Sequence, residues 1–325
     1  MRYRKLGTTG IEVSEIGFGG FAIGGYDYGP TDDSESIAAI EKAYSMGVTF
    51  FDTADMYGAG HSESLIGRAL KGKNPPAFVA TKVGYVGNRG KQRMDFSRSH
   101  IVTAVEQSLR RLQRDAIDLY QIHNPLLEDL ENGEAFEVMD ELVKAGKVRF
   151  WGVSVKARDV LEICRKTMAC SSVASIQMVY NLFHSRDLEE LQGEIRRRGI
   201  GLVARAPLEY GMLTGKFSPV ERFSPGDHRG SRWKPEEFSR KLAQLEGLRE
   251  AFKGEPFTLP QLAIGFALSL QDVSVVICGA KRPSQIEENV AASKHFGETL
   301  TEADLQKARA ILSRLSGLAF ECGFV

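Results

Sequence analysis

Short runs rich in β-branched and apolar residues alternate along this chain with longer stretches in which apolar residues return every three or four positions. The short runs read as strands at Ile16–Gly19, Thr49–Asp52, Phe78–Lys82, Leu119–His123, Arg149–Ser154, Ser175–Met178, Gly201–Ala204 and Ser274–Cys278. The stretches between them read as helices. In Ser99–Leu112, for example, Ile101, Val105, Leu109 and Leu112 share one face, which should pack on the sheet. An alternating βαβα order predicts a parallel sheet, and eight such units predict an α/β fold of the (β/α)8 TIM-barrel type.

Three segments fall outside the eight units. Tyr3–Leu6 and Glu12–Ser14 flank a Gly7-Thr8-Thr9-Gly10 turn, predicting an N-terminal β-hairpin that plugs one barrel end. After the last unit, Thr301 with Asp304 three residues on caps an additional C-terminal helix whose stripe is Leu305, Ala308, Leu312 and Leu315. The longest irregular stretch, Leu208 to Pro235, carries Gly211, Gly215, Pro219, Pro225, Gly226 and Gly230, and loops of this length are usually functional. With no linker and no repeat beyond the βα alternation, residues 1–325 read as a single domain.

Composition narrows the classes of partner. The chain has 325 residues, 42% of them apolar and 26% charged, which suits a folded core. Its 42 basic and 42 acidic residues cancel, so no general field favours nucleic acid or an anionic membrane. Cys164, Cys170, Cys278 and Cys322 form no C-x-x-C or zinc spacing and read as reduced thiols. The N-terminus lacks a signal-like apolar core, and no run approaches the ~20 apolar residues of a membrane span, so a soluble, cytoplasmic protein is expected.

The chemistry collects at strand ends. Asp52, Lys82, His123, Ser154 and Gln177 each end a different predicted strand, or nearly so, and parallel barrel strands deliver those ends to one mouth. Asp52 lies in Phe50-Phe51-Asp52-Thr53-Ala54-Asp55-Met56-Tyr57-Gly58, where a strand runs into a loop carrying a tyrosine. A phenol with a pKa of about 10 is a weak acid near neutrality unless a cation stabilises its phenolate. Lys82 can supply the cation, Asp52 its counter-charge, and His123 a hydrogen bond to a substrate oxygen or to the tyrosine. Two plainer readings stay open at this point: Tyr57 as a loop aromatic, and Asp52 with Lys82 as a structural ion pair.

Across essentially its whole length the chain resembles the aldo-keto reductase family. The segment Gly47–Gly58 with Ser62-Glu63 and Ile66-Gly67, then Ala80-Thr81-Lys82 and Asp118-Leu119-Tyr120-Gln121-Ile122-His123, are similar to its signatures. The resemblance implies hydride transfer from a nicotinamide cofactor to a carbonyl, with Tyr57 as general acid. Lys82 lowers the Tyr57 pKa, Asp52 pairs with Lys82, and His123 orients the carbonyl. The implied partner is a small-molecule carbonyl or alcohol substrate.

No G-x-G-x-x-G turn is present, which argues against a Rossmann site. The resemblance instead places Gly20 and Phe21 near the nicotinamide and gives Ser154 and Gln177 its carboxamide. Many members carry Asn after that serine, where this chain has Val155, so one carboxamide hydrogen bond is expected to be absent or supplied elsewhere. Arg205 stands where many members stack an aromatic on the nicotinamide, and a planar guanidinium can stack too. Pro207 and Leu208 follow it in the segment that crosses the cofactor. Gly215 and Lys216 are implied at the pyrophosphate, with the Asp227-His228-Arg229 loop closing over it. Gly279, Lys281, Arg282, Gln285, Glu288 and Asn289 resemble the adenosine-binding segment. Lys281 and Arg282, just before a helix start at Pro283, suit the extra phosphate of NADP (NADPH), with NAD the lesser expectation.

Two competing functions remain in view: an aldolase that forms a Schiff base on Lys82, and a cofactor-binding regulatory subunit of the same fold. A metal site of Asp52, Asp55, His61 and His123 matches no ligand spacing. The substrate pocket is expected from Phe21, Tyr26, Tyr85, Trp233 and the tail 317–325.

Overall fold

The structure, a computed structural model, describes residues 1–25, 28–87, 93–156 and 158–316. Tyr26 and the tail 317–325, both expected at the substrate pocket, lie outside the described residues.

The chain begins with an antiparallel hairpin, β1 (Tyr3–Lys5) and β2 (Glu12–Ser14). Then come β3 (Ile16–Gly19), α1 (Asp33–Ser45), β4 (Phe50–Asp52), α2 (His61–Leu70) and β5 (Phe78–Val83). A small hairpin, β6 (Tyr85–Val86) with β7 (Arg93–Met94), precedes α3 (Arg98–Leu112) and β8 (Ile117–His123). The order continues with α4 (Glu134–Lys144), β9 (Val148–Ser154), α5 (Val160–Met168), β10 (Ser175–Val179), α6 (Arg186–Arg198) and β11 (Gly201–Arg205). It ends with α7 (Pro235–Ala251), α8 (Leu259–Ser269), β12 (Val273–Gly279), α9 (Pro283–His295) and α10 (Glu302–Ser316).

Eight parallel strands close a barrel in the order β10-β11-β12-β3-β4-β5-β8-β9. This is the expected (β/α)8 fold, with strand ends differing by one or two residues. Strand periodicity explains how the site is built. Phe50, Phe78, Ala80, Leu119, Val203, Val275 and Ile277 form an inner cluster with Leu6 and Val13 of the hairpin, while Phe51, Val79, Tyr120 and Trp151 pack outward beneath the helices. Steps of two from the inner residues lead to Asp52, Lys82, His123 and Arg205, so the layer above the apolar plug is polar by parity alone. Register aligns that layer: Gly19 pairs with Asp52, Lys82 with Gln121, and His123 with Ser154.

The hairpin does plug the N-terminal end of the barrel. Gly7 adopts φ +53°, and a Cβ there would lie 2.4 Å from the Gly199 carbonyl oxygen and the Gly201 nitrogen. Only glycine accepts both constraints.

Three details differ from the sequence reading. The stretch 208–235 is not wholly irregular, since short 3-10 turns form at Glu209–Thr214 and His228–Ser231. Two helices, α7 and α8, rather than one join β11 to β12, and Pro235 followed by Glu236 and Glu237 marks the start of the first. In α10 the reciprocal Thr301–Asp304 cap forms, and Leu305, Ala308 and Leu312 are buried, but Leu315 is exposed because the stripe runs past the packed face. No helix among the described residues is long and apolar enough to cross a membrane.

Candidate active site

A cleft of about 320 Å³ opens at the carboxyl ends of the barrel strands. Asp52, Tyr57, Gln177 and Arg205 line one part of it; Gly279, Lys281 and Gln285 line another.

Lys82 is fully buried, and its ammonium divides three donors among three acceptors: Asp52 Oδ2 at 2.7 Å, the Thr53 carbonyl at 2.7 Å and the Tyr57 hydroxyl at 3.3 Å. Asp52 uses its other oxygen to accept from Gln177 Nε2 at 2.8 Å, and Gln177 Oε1 accepts from Ser154 Oγ at 2.8 Å. One line of hydrogen bonds therefore ties Ser154, Gln177, Asp52, Lys82 and Tyr57 together. The amine needed for a Schiff base is committed to three acceptors and shielded from solvent, which weighs against the aldolase reading.

His123 packs edge-on to Tyr57 at 5.9 Å between ring centres and to Tyr85 at 5.1 Å. It makes no bond to the tyrosine, and its Nδ1 is buried without a partner. Burial first, then the charge on Lys82, holds its pKa well below the ordinary value, so the ring is neutral.

The Tyr57 hydroxyl is shifted opposite to expectation. Burial and the Asp52 charge raise its pKa well above 10, with Arg205 opposing. The phenol is thus held protonated, and Lys82, itself lowered by burial, is placed to stabilise the phenolate only once the proton has left.

Among the other expected cofactor residues, Phe21, Pro207 and Leu208 line the cleft. Phe21 packs on Tyr57 at 4.8 Å and on His228 at 5.4 Å, so the Asp227–Arg229 loop does reach the cleft. Arg205 Nη2 donates to the Val155 main-chain carbonyl at 2.9 Å.

Several expected residues stand back from the lining. Gly20 packs tightly, since a Cβ there would meet Ser62 Oγ at 2.6 Å and the Asp52 carbonyl at 2.9 Å. Ser154 sits behind Gln177. The Gly215 carbonyl accepts from Arg249, while Lys216 is exposed and Thr214 lines the cleft instead. Arg282 has a side chain 65% exposed and pairs with Glu35 at 3.2 Å. Glu288 accepts from Thr258, and Asn289 donates to the Gly279 carbonyl at 3.4 Å. Trp233 belongs to an aromatic cluster with Phe217, Phe223 and Phe238 rather than to the lining. His61 bonds Asp33 at 2.8 Å, leaving the conjectured four-residue metal set unassembled.

Two features escaped the sequence reading. Buried Glu209 takes bonds from Lys241 at 2.7 Å, Asn181 at 3.1 Å and His184 at 3.2 Å, anchoring a turn in which Ala206, Glu209 and Tyr210 all adopt positive φ. The second is Asp55, three residues after Asp52 of the tetrad formed by Asp52, Tyr57, Lys82 and His123; the Asp55 Oδ1 is buried without a partner. Burial and the Glu63 charge push the Asp55 carboxyl up to about 8.

A raised folded-state pKa contributes stability that is fully present below the unfolded carboxyl value of about 4 and is lost as pH rises through about 8. The wild-type protein should lose stability over that window, and Asp55→Asn, with no proton to release, should lose less. Thermal melts across the window check this, and parallel profiles for the two proteins would contradict it.

Comparison with known proteins agrees with this architecture. The model of the aldo/keto reductase family matches residues 15–313. The aldo-keto reductase YhdN of Bacillus subtilis (strain 168) is 36% identical over 320 residues, covering 96% of this chain and 94% of the relative. A probable voltage-gated potassium channel subunit beta of Arabidopsis thaliana is 31% identical over 306 residues, covering 90% and 91%. Among solved structures, the glycerol dehydrogenase AKR11B4 from Gluconobacter oxydans superposes with a TM-score of 0.83 at 28% identity, covering 99% of this chain and 98% of that one. Sequence match and fold together place the chain in the aldo/keto reductase family, oxidoreductases that use nicotinamide cofactors on small carbonyl substrates.

Proposed function

We propose that the chain, working as one unit over residues 1–325, reduces an aldehyde or ketone with NADPH, Tyr57 giving the proton. The observation that carries this reading is the threefold commitment of the Lys82 ammonium to Asp52, the Thr53 carbonyl and the Tyr57 hydroxyl.

The donor set suits a dinucleotide. Gln177 spends one amide hydrogen on Asp52 and one lone pair on Ser154, which leaves a donor and an acceptor for a carboxamide. At the other end, before α9, Gln285 Oε1 accepts from the backbone nitrogens of Lys281 at 2.8 Å and Arg282 at 3.2 Å, an oxygen held where a phosphate oxygen would suit equally well. Bound here, NADPH supplies the hydride.

The chain's own residues do the rest. Tyr57 holds a proton at its hydroxyl and passes it to the carbonyl oxygen. Lys82 stabilises the resulting phenolate, and Asp52 keeps the buried ammonium charged. Neutral His123 donates a ring N–H to the same carbonyl oxygen, fixing its approach to Tyr57. NADPH absorbance with a panel of aldehydes and ketones tests the reading. Tight NADPH binding with no turnover on any of them would favour a regulatory subunit, the reading that the channel-subunit relative keeps open.

A preference for NADPH over NADH follows from the cations before α9. Lys281 lines the cleft, its Nζ donating to the Tyr28 carbonyl at 2.8 Å, whereas Arg282 is exposed and paired with Glu35. A charge-assisted contact contributes about 1.5–3 kcal/mol, roughly tenfold or more in affinity. Lys281→Ala should therefore weaken NADPH binding more than Arg282→Ala does, and both should spare NADH. Equal dissociation constants of wild type for the two cofactors would refute the preference.

A further inference from the structure

Beside the tetrad lies more positive charge than the groups described so far use. Lys156 follows β9 by two residues, Arg205 ends β11, and Arg232 follows the 3-10 turn at His228–Ser231. The guanidinium carbon of Arg232 lies 3.4 Å from the centre of the Tyr210 ring, a stacking distance, and its Nε is buried without a partner. The half-buried Lys156 ammonium interacts electrostatically with Tyr210, Arg232 and Arg205, and its charge reaches His123.

Among the described residues, none of these three cations has a carboxylate within ion-pair distance. Lys82, Arg229, Lys241 and Arg282 at the same end of the barrel each have one. Glu209, adjacent to Tyr210, is already engaged by Lys241, His184 and Asn181.

The backbone supports a purpose for this arrangement. Tyr210 sits at φ +56° next to Glu209 at φ +44°, left-handed conformations that non-glycine residues rarely adopt and that the buried Glu209 network holds in place. Burial opposes ionisation of the Tyr210 hydroxyl, yet Arg205, Arg232 and Lys156 together bring it below its ordinary pKa. Partly buried cations without a counter-ion are unfavourable until an anion joins them. Arg205 by itself has a use at the nicotinamide under the proposed function; Lys156 and Arg232 have none.

We propose that Lys156 and Arg232, converging beside Tyr210, form an anion subsite for the substrate, so that the carbonyl compound reduced here carries a carboxylate or a phosphate. The proposal rests on the reductase reading. The carbonyl sits between Tyr57 and His123, and the anionic group extends along the mouth to the two cations, where a guanidinium gives paired donors and the ammonium a point charge.

A matched pair of substrates tests it. 4-Carboxybenzaldehyde and its methyl ester differ in charge at one end and little in the reacting aldehyde; glyceraldehyde 3-phosphate against glyceraldehyde is the phosphate arm. Wild type should favour the charged member of at least one pair by tenfold or more in kcat/KM. Lys156→Met and Arg232→Met should each erase most of that preference, chiefly through KM, while Lys156→Arg keeps it.

Calorimetric binding of 4-hydroxymethylbenzoate against its methyl ester to the NADPH-loaded protein reads the subsite without turnover. A protein that binds the acid selectively but reduces nothing would thus fail the reductase reading alone. Equal use and equal binding of charged and neutral partners would overturn the subsite. So would a preference that both methionine variants leave intact while NADPH affinity falls, which would give the cations to the cofactor.

Discussion

Tyr57→Phe should bind NADPH as wild type does and lose reductase activity by about 10²–10⁴-fold in kcat, the range that a positioned general acid supplies. The ring would still pack on Phe21 and edge-on to His123, so the cleft keeps its shape. What disappears is the proton at the one hydroxyl that Lys82 addresses. Burial and Asp52 raise the pKa of this phenol, so wild type keeps its acid protonated throughout the neutral range, and its activity should not decline there through ionisation of Tyr57. Steady-state kinetics with fluorescence titration of NADPH separates the two readouts. A variant that turns over normally would remove Tyr57 from the chemistry and return it to the role of a loop aromatic.

Lys82→Met should be more damaging, because it alters catalysis and folding together. The phenolate loses its cation, and Asp52 keeps a buried carboxylate with Gln177 as its remaining donor among the contacts described. Breaking a buried ion pair from one side typically costs about 3–5 kcal/mol. Unfolding in urea should register a loss of that order alongside a loss of activity. Asp52→Asn combined with Lys82→Met removes both charges and should recover much of the stability while restoring none of the activity. If the double variant were no more stable than Lys82→Met, the stability loss would not come from the stranded carboxylate.

The tetrad and the barrel are legible in the sequence for the same reason. Asp52, Lys82 and His123 each end an apolar run, and a parity of two carries the inward face of Phe50, Ala80 and Leu119 up to them. Tyr57 is legible through the loop that follows Asp52, a motif as well as a geometry.

The cofactor end reads less well. Gly215, Lys216, Glu288 and Asn289 lie in the segments that the resemblance names, but segment alone does not fix where each group points: Glu288 and Asn289 turn their side chains to Thr258 and the Gly279 carbonyl, and Gly215 and Lys216 spend main-chain groups on Arg249 and Thr214.

Least legible is the turn at Glu209–Tyr210. Nothing in Leu208-Glu209-Tyr210-Gly211 announces a buried carboxylate. Its partners Asn181, His184 and Lys241 come from two distant segments, and long-range polar networks leave no periodic trace. Lys156 and Arg232 escape for a related reason, since a missing counter-ion is visible only when every neighbour is in place.

The most direct measurement is the fate of the hydride itself. NADPH carrying deuterium at the transferring C4 position is mixed in single turnover with a reducible aldehyde, and the alcohol is analysed by mass spectrometry. Deuterium on the carbinol carbon with wild-type protein, and its near absence over the same time with Tyr57→Phe, is the predicted result. Equal deuterium incorporation by the two proteins, or an alcohol formed without deuterium, would contradict Tyr57-dependent hydride transfer at this site.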